Sequence, residues 1–190
     1  NDQEEVELEK EIEYVKNYLT IQKMRYKDKL EFWIEVEPSI LNIPLIKLVL
    51  QPIIENAIYH GLKYKESKGL LQVKGFMKDG NAVLQVIDNG VGMDEETLSH
   101  IYDKHKVNYH SNGVGVYNVQ KRLKLYYGEN YGITYESEKD VGTTATITIP
   151  GIQEESIWQK KEWPVRIALT PSPETTFRPS PRSRERRGTE

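Results

Sequence analysis

Asn56 and His60 stand four residues apart in Gln51-Pro52-Ile53-Ile54-Glu55-Asn56-Ala57-Ile58-Tyr59-His60-Gly61-Leu62, the most informative stretch of this 190-residue chain. On a helix that spacing sends both side chains the same way. An amide and an imidazole then sit side by side, flanked by an apolar stripe running from Leu45 to Ile58. The Asn56 carbonyl oxygen suits Mg2+, a hard cation that takes oxygen ligands and often keeps waters and phosphate oxygens as the rest of its shell. A buried asparagine satisfied by backbone is the plainer alternative.

Three glycine motifs follow in order. Asp88 closes the apolar run Val83-Leu84-Gln85-Val86-Ile87 and is followed by Asn89-Gly90-Val91-Gly92-Met93. A carboxylate there can accept a hydrogen bond from a flat donor such as an adenine amino group, and Gly90 and Gly92 let the backbone approach the ring. A turn closing a hairpin is the commonest use of Asp-Asn-Gly. Gly113-Val114-Gly115 opens a helix, where exposed N–H groups and the positive dipole end suit phosphate. A dinucleotide fingerprint would need a third glycine where Asn118 stands and a strand where a polar loop stands. A Walker loop would need Gly-Lys-Ser/Thr. Both are excluded. Gly142-Thr143 precedes an alternating strand, as a simple turn or with the Thr143 hydroxyl reaching a base. The histidines at 60, 100, 105 and 110 show no zinc spacing with a third ligand, and His100, His105 and His110 are expected to be solvated loop residues. With no cysteine there is no disulfide framework and no thiolate metal site.

These residues need elements to position them. Periodicity predicts a helix over 3–27, a half-buried strand over 29–37, a connector and helix start bracketed by Pro38 and Pro44, and a helix reaching about residue 62. Residues 69–78 and 82–88 read as an antiparallel pair joined at Asp79-Gly80-Asn81. A short helix opened by Asp94 spans 94–103, a polar loop 104–112 and a helix about 114–127; strands follow near 132–137 and 143–149. This order predicts an α+β, two-layer sandwich with a mixed sheet and helices on one face. Beyond Pro150 the composition turns proline- and arginine-rich, so 151–190 reads as a tail, with 170–190 disordered. Length allows one good domain and an appendage. No apolar run reaches the ~18 residues of a membrane span, and the acidic N-terminus lacks a signal-peptide pattern. A net charge of -3 argues against a dedicated nucleic-acid binder.

Taken together, the stretch from Leu50-Gln51-Pro52 to Gly61, the Asp88–Met93 turn and Gly113-Val114-Gly115-Val116-Tyr117-Asn118-Val119, followed by Arg122-Leu123 and Tyr127-Gly128, resemble the GHKL (Bergerat) ATP-binding fold of histidine kinases, type II topoisomerases, Hsp90 and MutL. The likeness is to the LytS/YesM-type sensor kinases, covers about residues 5–150, and includes the upstream segment from Glu11 to Tyr26. The resemblance implies ATP and Mg2+ as cofactors. It implies Asn56 as the Mg2+ ligand, Asp88 on the adenine amino group, and Gly90, Gly92 and Met93 lining the base pocket. Gly113 and Gly115 would hinge a lid over 94–112, Asn118 would sit near the phosphates, Thr143 would complete the adenine contact, and His60 would meet phosphate or pack.

The chain also departs from the superfamily. The ATPases carry a catalytic glutamate four residues before the asparagine, and here Pro52 stands there. Glu55 points about 100° away from Asn56 on a helix. That argues against water activation and for transfer to a side chain. No histidine lies in the Pro-His-Phe-type context of a phosphoacceptor. The expectation is therefore a catalytic domain (29–150) preceded by the end of a dimerisation helix region (1–28), cut from a kinase whose acceptor histidine, sensor and membrane segments lie upstream. Its partners would be the phosphoacceptor domain, a response regulator and a second copy in the full-length homodimer, with nucleic acid not among them. It would be the cytoplasmic domain of a membrane-anchored bacterial receptor. A serine kinase of the anti-sigma-factor type and a nucleotide-responsive scaffold are the competing readings.

Overall fold

The computed structural model describes residues 5–63, 65–101, 113–151 and 165–167. In chain order these form β1 (Glu5–Glu7), α1 (Leu8–Tyr26), β2 (Leu30–Val36), β3 (Pro44–Ile46), α2 (Leu50–Asn56), β4 (Gly69–Lys78) and β5 (Asn81–Asp88). Then come α3 (Glu95–Ser99), α4 (Gly113–Tyr127), β6 (Gly132–Glu138), β7 (Gly142–Pro150) and β8 (Val165–Ile167).

Alternation places Leu30, Phe32, Ile34 and Val36 of β2 in the core, with Glu31, Trp33 and Glu35 only partly buried. The β4–β5 hairpin closes through Asp79 and Gly80 at φ 50° and 76°, the paired positive values that let a two-residue turn follow the strand twist. The six-stranded sheet runs β6-β7-β5-β4-β2-β8. β2 and β4 are parallel, and the remaining neighbours are antiparallel. A parallel pair needs a crossover, and the segment between β2 and β4 supplies it with α2, the helix that carries Asn56. β8 adds to the outer edge of β2 within the stretch expected as a tail; the rest of 152–190 lies outside the described residues.

The helices share one apolar layer against the sheet. Leu8, Ile12, Val15 and Leu19 of α1 and Val116, Val119 and Leu123 of α4 are all buried at three- and four-residue spacing. Each fully buried aliphatic side chain is worth about 1.5–3 kcal/mol relative to exposure. α1 is thus part of the domain core. Its first N–H groups are taken by backbone carbonyls of the connection between β2 and β3, Leu8 N–H to Ile43 O (2.9 Å) and Glu9 N–H to Leu41 O (2.9 Å).

Three boundaries differ from expectation. The helix expected over 3–27 begins at Leu8, behind the strand Glu5–Glu7, and the helix expected over 94–103 ends at Ser99. The helix predicted to start near Pro44 begins only at Leu50. Pro44–Ile46 instead pairs antiparallel with Glu5–Glu7, with Val6 opposite Leu45. Leu45, Ile46, Val49, Leu50, Ile53, Ile54, Ala57 and Ile58 are buried all the same, some as strand and some as helix. A short apolar run does not by itself distinguish the two. After Asn56 the helix widens into a π turn over Ala57–Leu62, marked by Lys63 N–H bonding Ile58 O at 2.8 Å.

Candidate nucleotide-binding site

A cleft of about 580 Å3 opens between the α2 helix, the end of β5 and α3. Asn56 and His60 line it from the helix, Asp88 from β5, Gly92 and Met93 from the turn that follows, and Thr143 from β7. Six residues predicted from separate motifs therefore meet in one place.

Asp88 is the floor. It is 3% exposed and sits opposite Thr143 in the β5–β7 register. Gly90 N–H donates to its Oδ1 at 2.8 Å. Burial pushes its pKa up to about 7, against the pull of the Gly90 and Thr143 backbone N–H groups and the Lys65 charge. The surroundings of this carboxyl admit no extra atom. A β-carbon on Gly61 would lie 2.8 Å from Oδ1, and one on Gly90 would lie 2.4 Å from the Gly61 carbonyl carbon. The π turn makes this docking possible: it carries Gly61 onto the glycine turn, where Val91 N–H bonds Gly61 O at 3.1 Å. Such turns recur at functional sites. Gly90 thus acts behind Asp88 and does not line the cleft.

Gly92 has φ 62°, and a β-carbon there would meet Glu138 O at 1.9 Å, so glycine is required twice over. The next residue is tied to the β6–β7 hairpin. Met93 N–H donates to Ser137 Oγ (2.8 Å), which contacts Thr143 Oγ1 (2.9 Å). Asn89 does not face the cleft; its Oδ1 accepts from Leu70 N–H at 2.8 Å and holds the start of β4.

Asn56 Oδ1 is buried with no hydrogen-bond partner among the described residues. An orphaned carbonyl oxygen beside a cleft fits a hard cation, as an asparagine satisfied by backbone would not. His60, on the same wall, is exposed at the mouth, and partial desolvation with the nearby Lys63 charge lowers its pKa. Among the described lining residues neither Gly115 nor Asn118 of α4 occurs, and Asn118 is exposed; the surroundings of Gly113 lie outside what is described. Gly115 has a different contact, since its β-carbon position lies 3.3 Å from Pro52 Cβ and lets α4 approach α2. The expected lid is described only up to residue 101, so its continuation, with His105 and His110, lies outside the described residues. Its first part is a short helix whose Asp94 cap accepts from Thr97 N–H at 2.8 Å, as predicted.

Sequence reasoning missed several contributors. His100, expected in solvent, lines the outer rim with Glu96, Thr97 and Ile101. Gly61 closes the stretch that carries Asn56 and His60, and a glycine so placed beside chemistry-bearing residues was the available signal. Ser137 and Tyr135 gave no signal, since both are ordinary strand residues until β6 is folded against β7.

The chain as a whole is similar to known proteins. Residues 42–153 match the family described as histidine kinase-, DNA gyrase B-, and HSP90-like ATPase, and residues 1–30 match the histidine kinase family. The chain is 32% identical over 145 residues to "Sensor histidine kinase YesM" of Bacillus subtilis, covering 76% of this chain and 24% of that protein. It is 33% identical over 147 residues to "Sensor protein LytS" of Oceanobacillus iheyensis, covering 76% of this chain and 25% of that protein. The chain thus spans about a quarter of the length of these curated relatives. In fold it is similar to the catalytic domain of histidine kinase ThkA, with a TM-score of 0.59 at 15% identity over 78% of this chain and 98% of that one. The chain belongs to the histidine kinase-, DNA gyrase B-, and HSP90-like ATPase family, and its ATP-binding domain is of the LytS/YesM sensor-kinase type.

Proposed function

We propose that this domain binds Mg-ATP in the cleft and serves as the kinase half of a two-component sensor, passing the γ-phosphoryl group to a histidine on an upstream domain of the parent protein. The observation that carries this reading is the coexistence, in one cleft, of the buried Asp88 carboxylate and an Asn56 oxygen with no hydrogen-bond partner among the described residues. Asp88 accepts the adenine amino group, Gly92 and Met93 line the base pocket, and Thr143 completes that end. Asn56 holds the Mg2+, which when bound neutralises phosphate charge. Gly113, Gly115 and Asn118 act from the start of α4, and His60 faces the phosphates from the mouth.

Transfer is favoured over hydrolysis by the placement of acids. Pro52 packs against Gly115, and Glu55 is held by Gln51 Nε2 at 2.9 Å, off the cleft lining. Neither can activate a water beside Asn56. In the parent protein the acceptor histidine is on a dimerising helical domain, the phosphate moves on to a response regulator, and the assembly is anchored in the membrane by other segments. Among the described residues no helix is long and apolar enough to cross a membrane.

The test is calorimetric titration with ATP, with and without Mg2+, followed by incubation with γ-labelled ATP. Binding without stable self-labelling is expected. A stable label on this chain alone would overturn the missing-acceptor reading, and no binding by the folded chain would overturn the nucleotide site.

A further inference from the structure

The helix carrying Asn56 starts without a cap of its own. Its N-cap residue is Val49, which has no side-chain acceptor. The preceding Leu48 is half-exposed at φ 60°, a left-handed conformation that a leucine adopts only at a cost. Yet three successive N–H groups at this turn are satisfied by one residue 37–39 positions away. Leu48 N–H donates to Glu11 Oε2 at 3.1 Å, and Val49 and Leu50 N–H donate to Glu11 Oε1 at 2.8 and 3.1 Å. Glu11 comes from α1 and is 2% exposed. A buried carboxylate set on the positive end of a helix is charge-matched as well as hydrogen-bonded. From Leu50 the helix runs six residues to Asn56, about 9 Å at 1.5 Å per residue, and the Asn56 oxygen has no hydrogen-bond partner among the described residues.

We propose that Glu11 is a positioning residue for the nucleotide site: its carboxylate holds the strained turn at Leu48, sets where α2 begins, and thereby sets where Asn56 presents its oxygen to the cation. α1 is thus the element whose placement decides whether the cleft is ready for Mg-ATP. This inference rests on the nucleotide reading of the cleft. Helices are stiff along their axis, so a shift at the first turn reaches Asn56 largely undiminished, whereas the Asp88 floor, on a different element, stays where it is.

Glu11→Gln keeps the shape and removes the charge. It is expected to lower Mg-ATP affinity by about fivefold or more, the usual size of a coupling between separate positions, while ATP affinity without Mg2+ is unchanged. In an Asn56→Ala background the same substitution is expected to have no further effect on binding. Leu48→Gly relieves the positive-φ cost and should restore much of the Mg-ATP affinity when combined with Glu11→Gln, Asn56 being intact. In the absence of nucleotide, the Asn56 side-chain amide resonances should shift in Glu11→Gln but not in Val73→Ala, which destabilises the core elsewhere. If Glu11→Gln does not fold, Glu11→Asp, which keeps the charge on a shorter arm, carries the same comparison. A fall in melting temperature with unchanged Mg-ATP affinity and unmoved Asn56 resonances overturns the proposal. Failure of the wild-type chain to bind ATP, with the Asn56 resonances still responding to Glu11, overturns the nucleotide reading instead.

Discussion

A β-carbon placed on Gly61 would stand 2.8 Å from Asp88 Oδ1, so the helix and the β5 carboxylate meet with no room for a side chain. Gly61→Ala is therefore expected to cost about 1–3 kcal/mol through overpacking. Because the carboxylate itself must shift, ATP affinity should fall about tenfold or more, the equivalent of ~1.4 kcal/mol. Thermal unfolding and calorimetry on the same preparation measure both effects; retained affinity would mean that Asp88 does not touch the nucleotide.

Asp88 links stability to pH in an unusual direction. Its folded pKa is raised from 3.8 to about 7 by burial, so the folded chain keeps a proton that the unfolded chain releases. The stabilisation is present at low pH and lost as pH rises through that window, which is opposite in sign to a salt-bridged carboxylate. Asp88→Asn, neutral at every pH, should flatten this dependence, raise the melting temperature at pH 8 and still abolish ATP binding. A melting temperature that falls in the variant at pH 8 would contradict the burial argument.

Asn56→Ala removes a buried oxygen that has no hydrogen-bond partner among the described residues, so no described bond to that oxygen is lost. The fold should tolerate it. Mg2+ should strengthen ATP binding to the wild-type chain and leave the variant's affinity unchanged. An undiminished Mg2+ effect would favour the scaffold reading over the kinase one.

Tyr127 anchors the segment before α2 from the other side. Its hydroxyl accepts from Ile46 N–H at 3.2 Å, and Arg122 donates to Lys47 O at 2.9 Å. Tyr127→Phe leaves the Ile46 N–H unpaired and should cost about 1–3 kcal/mol. Chemical denaturation should show a lower midpoint with an unchanged slope.

Much of this was readable beforehand, for reasons that vary by element. The β4–β5 hairpin declared itself through alternation and an Asp-Gly pair, and α3 through its Asp94 cap, because both depend on neighbours in the chain. Asn56, Asp88 and Thr143 could each be named from a motif, but only as a set did they imply a cleft. Pro44–Ile46 was misread because its apolar run suits either a helix or a strand, and the partner that decides, Glu5–Glu7, is nearly forty residues away.

The sequence by itself determined the local terms: which segments alternate or wind, where glycine is needed, and which side chains can recognise a base or a cation. Only the tertiary structure decided how those terms combine. It set the π turn that seats Gly61 against Asp88, the burial that lifts the Asp88 pKa, and the reach of Glu11 from α1 to the first turn of α2. The physical reason is distance along the chain. Local preferences are settled among neighbours, whereas burial, charge placement and caps lent by another helix exist only once remote segments have packed together.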